Sequence, residues 1–195
     1  ERKGERDEAL RHYERVVDLS PDAYRTINSI GIIYMYQGKV ADSIEQFQKA
    51  IQSNPDFAWA YSNLGTAYRK MGKFQEAIEA HAKAIQIEPD NPVFYNKLGN
   101  VYYDMKDYLS ALVQFEKAKM SAEDTAIDRK IGLCYLRQGI GNEAVKYLER
   151  AMKAFPHRAE VHAEYGEALS VSMRFKEADE SLDRAMRADP EEPAY

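Results

Sequence analysis

Gly139, Gly141 and Ala144 stand at the spacing of a dinucleotide-binding fingerprint, in which small residues let a backbone approach a pyrophosphate at the start of a helix. That chemistry needs a strand before the first glycine, and the residues here read as a loop joining two helices. His157 and His162 are of the type that holds a metal, yet no paired cysteine or carboxylate cluster accompanies them at ligand spacing. The single cysteine, Cys134, can form no disulfide within the chain, and its place on the packed side of a helix is that of an inert buried thiol. His81 takes the aromatic position of its helix and reads as a core residue. No serine, threonine or lysine stands in a nucleophile motif. The expectation is a chain that is not an enzyme and holds neither metal nor cofactor.

Amides and cations are the remaining groups with chemistry to offer. Side chains such as Asn63, Asn96 and Asn100 can bond both groups of an extended peptide backbone, and lysine and arginine attract carboxylates. Whether they act together depends on the elements that carry them. The chain has 195 residues, 45% hydrophobic and 30% charged, enough to bury a core without staples, and has no apolar run of membrane-spanning length. A net charge of -5 argues against nucleic acid. The opening residues from Glu1 carry no apolar stretch of the signal-peptide kind.

One period runs through the sequence. Glycines at 31, 65, 99, 132 and 166 are spaced by 34, 34, 33 and 34 residues. Small residues at Ala9, Ser43, Ala77, Ala111, Ala144 and Ala178 keep step with them, as do Pro21, Pro55, Pro89, Pro156 and Pro190. Within each unit, apolar residues such as Tyr61, Leu64, Gly65 and Tyr68 follow helical spacing, and Gly38, Gly72 and Gly139 fall where two helices must turn. Each unit is therefore a helical hairpin with two apolar faces, which only stacking on neighbours can cover. One residue is missing near Ser121 to Asp124, and Asp128 replaces the large residue that opens its helix. The junction there is expected to be the weak one.

The run Tyr95, Leu98, Gly99, Tyr102, Ala111, Phe115 and Ala118, and the run Tyr61, Leu64, Gly65, Tyr68, Ala77, His81, Ala84 and Pro89, resemble the signature of the tetratricopeptide repeat. The resemblance implies an all-α fold, a right-handed superhelical solenoid of helix-turn-helix repeats. On that frame residues 1–23 are the second half of a partial repeat, followed by repeats at 24–57, 58–91, 92–124 and 125–158, and by a fifth repeat with its C-terminal tail at 159–195. The polar last helix, about Lys176 to Arg187, reads as its own cap.

Family geometry places the first helix of each repeat along an inner groove. Its positions are apolar in the first repeat, at Ile32, Met35 and Tyr36, and acidic in the last, at Glu160, Glu164 and Glu167. Between them come Asn63, Arg69, Asn96, Lys97, Asn100, Tyr103, Arg129, Lys130 and Arg137, the expected partner-binding residues, with a protein or peptide of acidic character as ligand. The competing reading is a merely solvated polar face. Of the carboxylate-clamp residues some members carry, only Asn63 and Lys97 are present, since Asn28, Ile32 and Val93 replace the others, and the asparagine-ladder position reads Ser29, Asn63, Lys97, Lys130 and Glu164. Five repeats after a partial one resemble the layout of the magnetosome-associated members, self-assembling bacterial scaffolds, which implies self-association and a place in organelle assembly. The partial repeat's uncovered side, Ala9, Tyr13 and Val16, is the expected self-association face. The chain is read as a non-catalytic interaction scaffold, cytoplasmic or peripheral on an organelle membrane through its partners, with no direct membrane insertion. The alternative is a regulatory or substrate-presenting domain of a larger enzyme, or a co-chaperone adaptor.

Overall fold

The structure, a computed structural model, describes residues 23–119 and 124–188. Among these residues there are ten helices and no strand. They are α1 (Tyr24–Tyr36), α2 (Val40–Ser53), α3 (Ala58–Lys70), α4 (Phe74–Ile87), α5 (Pro92–Asp104), α6 (Tyr108–Ala118), α7 (Thr125–Arg137), α8 (Gly141–Ala154), α9 (Ala159–Val171) and α10 (Phe175–Ala188). The all-α expectation is met.

Two compact units make up the chain, one ending at Val101 and the other starting at Tyr102, so the division falls inside α5 rather than at the shortened loop. In the first unit α1 packs on α2, α2 on α3 and α3 on α4; in the second the same succession runs from α6 to α10. Residues 120–123 of the loop lie outside the described residues. Beside it, Asp128 is fully buried and its carboxylate is paired with Lys119 and Arg150, which bind the end of α6, the start of α7 and α8 together.

The turn between the two helices of each pair has one construction. Lys39, Lys73, Asp107, Ile140 and Arg174 each donate a backbone N–H five residues back, to Tyr34, Tyr68, Tyr102, Tyr135 and Leu169, at 2.9 to 3.0 Å. The residue before each donates to the carbonyl three back, which completes the turn that closes a helix through one left-handed residue. Gly38, Gly72 and Gly139 supply that residue at φ 77°, 72° and 74°. The sequence reading missed the other two: Lys106 at φ 63° and Met173 at φ 61° hold the same place without a glycine's freedom.

The periodic helix glycines serve close packing. A Cβ added at Gly31 would stand 2.5 Å from Phe47, at Gly65 2.8 Å from His81, at Gly132 2.7 Å from Leu148 and at Gly166 2.9 Å from Leu182. The first helices α1, α3, α7 and α9 thus each lie against one large side chain of their second helix, and the alanines Ala50, Ala77, Ala84, Ala144 and Ala151, all without exposure, let the backbones approach around it.

Candidate partner-binding site

The first unit gathers Asn28, Trp59, Asn63 and Lys97 from α1, α3 and α5. Asn63 Nδ2 donates to Asn28 Oδ1 at 2.9 Å, and Lys97 Nζ donates to Asn63 Oδ1 at 3.2 Å. The same ammonium stands 5.8 Å from the centre of the Trp59 ring, which packs edge-on against Phe94 at 5.1 Å and remains 38% exposed. Lys97 therefore has an amide and an indole face for company, rather than a carboxylate. Burial holds its ammonium down at about 8, because a charge taken from water without a counter-charge is costly. Arg69 on α3 and Asn96 and Asn100 on α5 are partly buried and engaged with other groups.

In the second unit the expected cations are already occupied. Arg129 grips Glu164 with two hydrogen bonds of 2.7 Å, a fork against a carboxylate that holds the guanidinium pKa above its usual value. Arg137 donates to Glu167 at 2.9 Å and also hydrogen-bonds Tyr103, whose ring packs edge-on against Tyr108. Lys130 lies 5.4 Å from the centre of the Phe115 ring. The basic stretch and the acidic stretch, separate in the sequence reading, thus neutralise each other within this unit. The signal was present in the spacing: Asn28 to Asn63 and Arg129 to Glu164 are both 35 residues apart, the same two positions in successive units.

The residues weighed as catalytic or ligating go elsewhere. Gly141 begins α8 where a Cβ would stand 2.5 Å from Ser172 Oγ, so its smallness lets two helix ends meet. His162 is buried with Nε2 bonded to the Pro156 carbonyl at 2.9 Å, while His157 is exposed. Cys134 is buried, which pushes its thiol up to about 12. Among the described residues no group of three or more His, Cys, Asp or Glu could hold a metal, and no helix is long and apolar enough to cross a membrane. Ala9, Tyr13 and Val16 lie outside the described residues.

No curated protein matches the sequence. Solved structures do match in fold. The YrrB structure, described as that of a TPR protein with an unusual peptide-binding site, is 19% identical with TM-score 0.74, over 92% of this chain and 93% of that one. MamA from Desulfovibrio magneticus RS-1, from residue 41 to its end, is 17% identical with TM-score 0.78, over 86% and 95%. PilF of Pseudomonas aeruginosa is 20% identical with TM-score 0.75, over 94% and 78%. A family model described as TPR repeat matches residues 31–72 and 65–106, and two described as tetratricopeptide repeat match residues 93–125 and 135–195. With successive helix pairs closed by one recurring turn and these matches over most of its length, a fold of interaction scaffolds, the chain belongs to the tetratricopeptide repeat family.

Proposed function

We propose that this chain binds an acidic segment of a partner protein along the first helices of its repeats, without catalysis, and that the anchor in the first unit is Lys97 with Asn63 and Trp59. The observation that carries the reading is the half-buried Lys97 ammonium without a counter-charge. A partner carboxylate there supplies what burial has withheld, whereas one that reaches Arg129 or Arg137 must first displace Glu164 or Glu167. Within the first unit Arg69, Asn96 and Asn100 extend the surface beside this anchor. Its ligand is an extended peptide in which an acidic residue stands beside an apolar one that can lie on Trp59.

Trp59 is the single tryptophan of the chain, so its fluorescence reports on the site directly. A peptide of alternating glutamate and leucine should quench or shift it, and a peptide with lysine in place of glutamate should not. Lys97→Glu should remove the response. A bound carboxylate raises the lysine pKa, so affinity is full below pH 8 and falls above it. An equal response to the lysine peptide, or an undiminished one in the variant, refutes the reading. Self-association belongs to the same proposal. The assembly role implied by the magnetosome-associated resemblance has the fold in its support, and labelled protein that stays diffuse in cells building such an organelle refutes it.

A further inference from the structure

The polar anchor of the first unit has apolar side chains on both sides of it. Tyr24 and Ile27 of α1 share an apolar cluster with Phe57 and Ala60 of α3, and Ile32 and Met35 share another with Ala67 and Tyr68, so the two helices run side by side in the same direction. The hydrogen bond from Asn63 to Asn28 lies between the clusters and puts those residues at one level. Trp59 precedes Asn63 by four residues, and Ile32 follows Asn28 by four. Each therefore stands one helical turn from the amide pair, roughly 6 Å along the axis and in opposite directions. Tyr36 is a further turn along α1 on the same stripe.

Among the described residues of the first unit, Tyr36 is the most exposed large apolar side chain, at 70%. Its exposure does not come from the place of α1 in the chain, because the equivalent residues of inner hairpins, Lys70, Asp104 and Arg137, are exposed as well. Those three are charged, as contact with water favours, whereas an aromatic ring stands at this place on α1. Ile32 is half-buried beside it, where Thr66 and Asn100 are the equivalent residues of α3 and α5. The later half of α1 thus offers apolar side chains where its two neighbours offer polar ones, and that half packs on α3 without using the Tyr36 ring.

We infer that Ile32 and Tyr36 form a second apolar subsite, and that the ligand is an extended segment of a partner protein reading apolar, any residue, acidic, any residue, apolar. The inference rests on the peptide-binding reading proposed above and adds a register to it. From Trp59 to Ile32 the surface runs roughly 12 Å along the helices and, between neighbouring axes, about 9 Å across, a diagonal of about 15 Å. Four residues of extended chain cover about 13.6 Å, and alternate side chains point to one face. The length of a side chain makes up the difference. A segment with one apolar group on Trp59 therefore brings the side chain two places on to Asn63 and Lys97, and the one four places on to Ile32 and Tyr36. The cation selects a carboxylate at the middle place, and the isoleucine and tyrosine select an apolar group at the last. The hydrogen bonds of Asn63 to Asn28 and Lys97 use one N–H and one lone pair of its amide, which carries two of each, so the same residue can bond the segment's backbone.

Three capped peptides test this by titration calorimetry and Trp59 fluorescence on the whole chain. The first reads leucine, serine, glutamate, serine, leucine; the second has the same composition with the glutamate moved one place towards its start; the third has serine in place of the last leucine. The first should bind about tenfold tighter than either of the others, the effect of one well-placed ion pair or one buried leucine. Tyr36→Ser, at an exposed position, and Ile32→Thr, which puts the residue of α3 on α1, should each weaken the first peptide about fivefold or more and leave the third unchanged, with the helical circular dichroism of the native chain retained. Equal binding of the first two peptides overturns the register, and equal weakening of the first and third by the variants, or no weakening, overturns the subsite; in each case the anchor at Lys97 still stands. If no peptide binds, the alternating glutamate and leucine one included, the peptide-binding reading fails and the inference falls with it.

Discussion

His81 gives the sharpest test of the packing logic. It lies fully buried on α4 against Gly65, and neither ring nitrogen has a hydrogen-bond partner. Burial, with the nearby cations Lys97 and Arg69, holds its pKa down to about 3, against 6.5 unperturbed. The folded chain therefore keeps the ring neutral at a pH where the unfolded chain protonates it. Stability contributed this way is complete above pH 6.5 and is lost as pH falls, at about 1.4 kcal/mol per pH unit until the folded pKa is reached. Over the 3.5 units between those values the loss is roughly 5 kcal/mol. Phe47 holds the same place against Gly31, so His81→Phe puts a side chain of proven shape there and removes two unsatisfied nitrogens. Urea unfolding followed at Trp59 should be compared for the native and variant chains from pH 7.5 to 4.5. At pH 7.5 the variant should gain on the order of 1–3 kcal/mol, the cost of leaving a buried polar group unpaired. Between pH 7.5 and 4.5 its advantage should widen by about 2.7 kcal/mol, whatever the other carboxylates do, because they are common to both chains. A difference that is flat across that range refutes the neutral buried ring. Repetition with His81→Leu, in the manner of Leu148 against Gly132, guards against overpacking by the larger ring.

At the paired carboxylate beside the shortened loop, the two halves of the ion pair should be unequal. Lys119→Met leaves the fully buried Asp128 only the Arg150 guanidinium, 3.7 Å away, and should cost about 1–3 kcal/mol, whereas Asp128→Leu leaves two cations that can turn to solvent and should be near neutral; equal losses in chemical denaturation refute this. Lys106→Gly should stabilise the chain by about 1 kcal/mol, by relieving the left-handed backbone at φ 63°, and a fall in melting temperature counts against the strain. Cys134, with its thiol pushed up to about 12, should resist a disulfide-exchange reagent at pH 8 in the folded chain and react at once in denaturant; fast reaction of the folded chain refutes its burial.

The sequence made the hairpins readable because each depends on residues that have no substitute: small ones under a large side chain, and glycine where φ is positive. Lys106 and Met173 escaped notice for the complementary reason, that other residues can occupy the left-handed region at some cost and then leave no glycine to find. The site was legible as residues but not as a charge state. Arg129 and Arg137 counted as attractors of a ligand until the structure brought Glu164 and Glu167 to them, and a list of groove positions carries no information on which side chains meet. Lys97 and Asn63 were found because amide and amine lie 34 residues apart, but the loss of affinity for its own proton depends on burial, which periodicity does not measure.

The hydrogen bonds between successive first helices also bear on how such a chain can change over evolutionary time. Identical hairpins could be duplicated, deleted or recombined freely, since each would greet any neighbour alike. Here Asn63 is matched to Asn28 behind it and to Lys97 ahead, and Arg129 to Glu164. A crossover that removed the pair α3–α4 would set Lys97 against Asn28, and one that removed α9–α10 would expose an unneutralised guanidinium. The order of the hairpins is thus written into polar contacts that a drift of apolar residues would leave intact, and a lineage that carries them is held to its length more firmly than its packing alone requires.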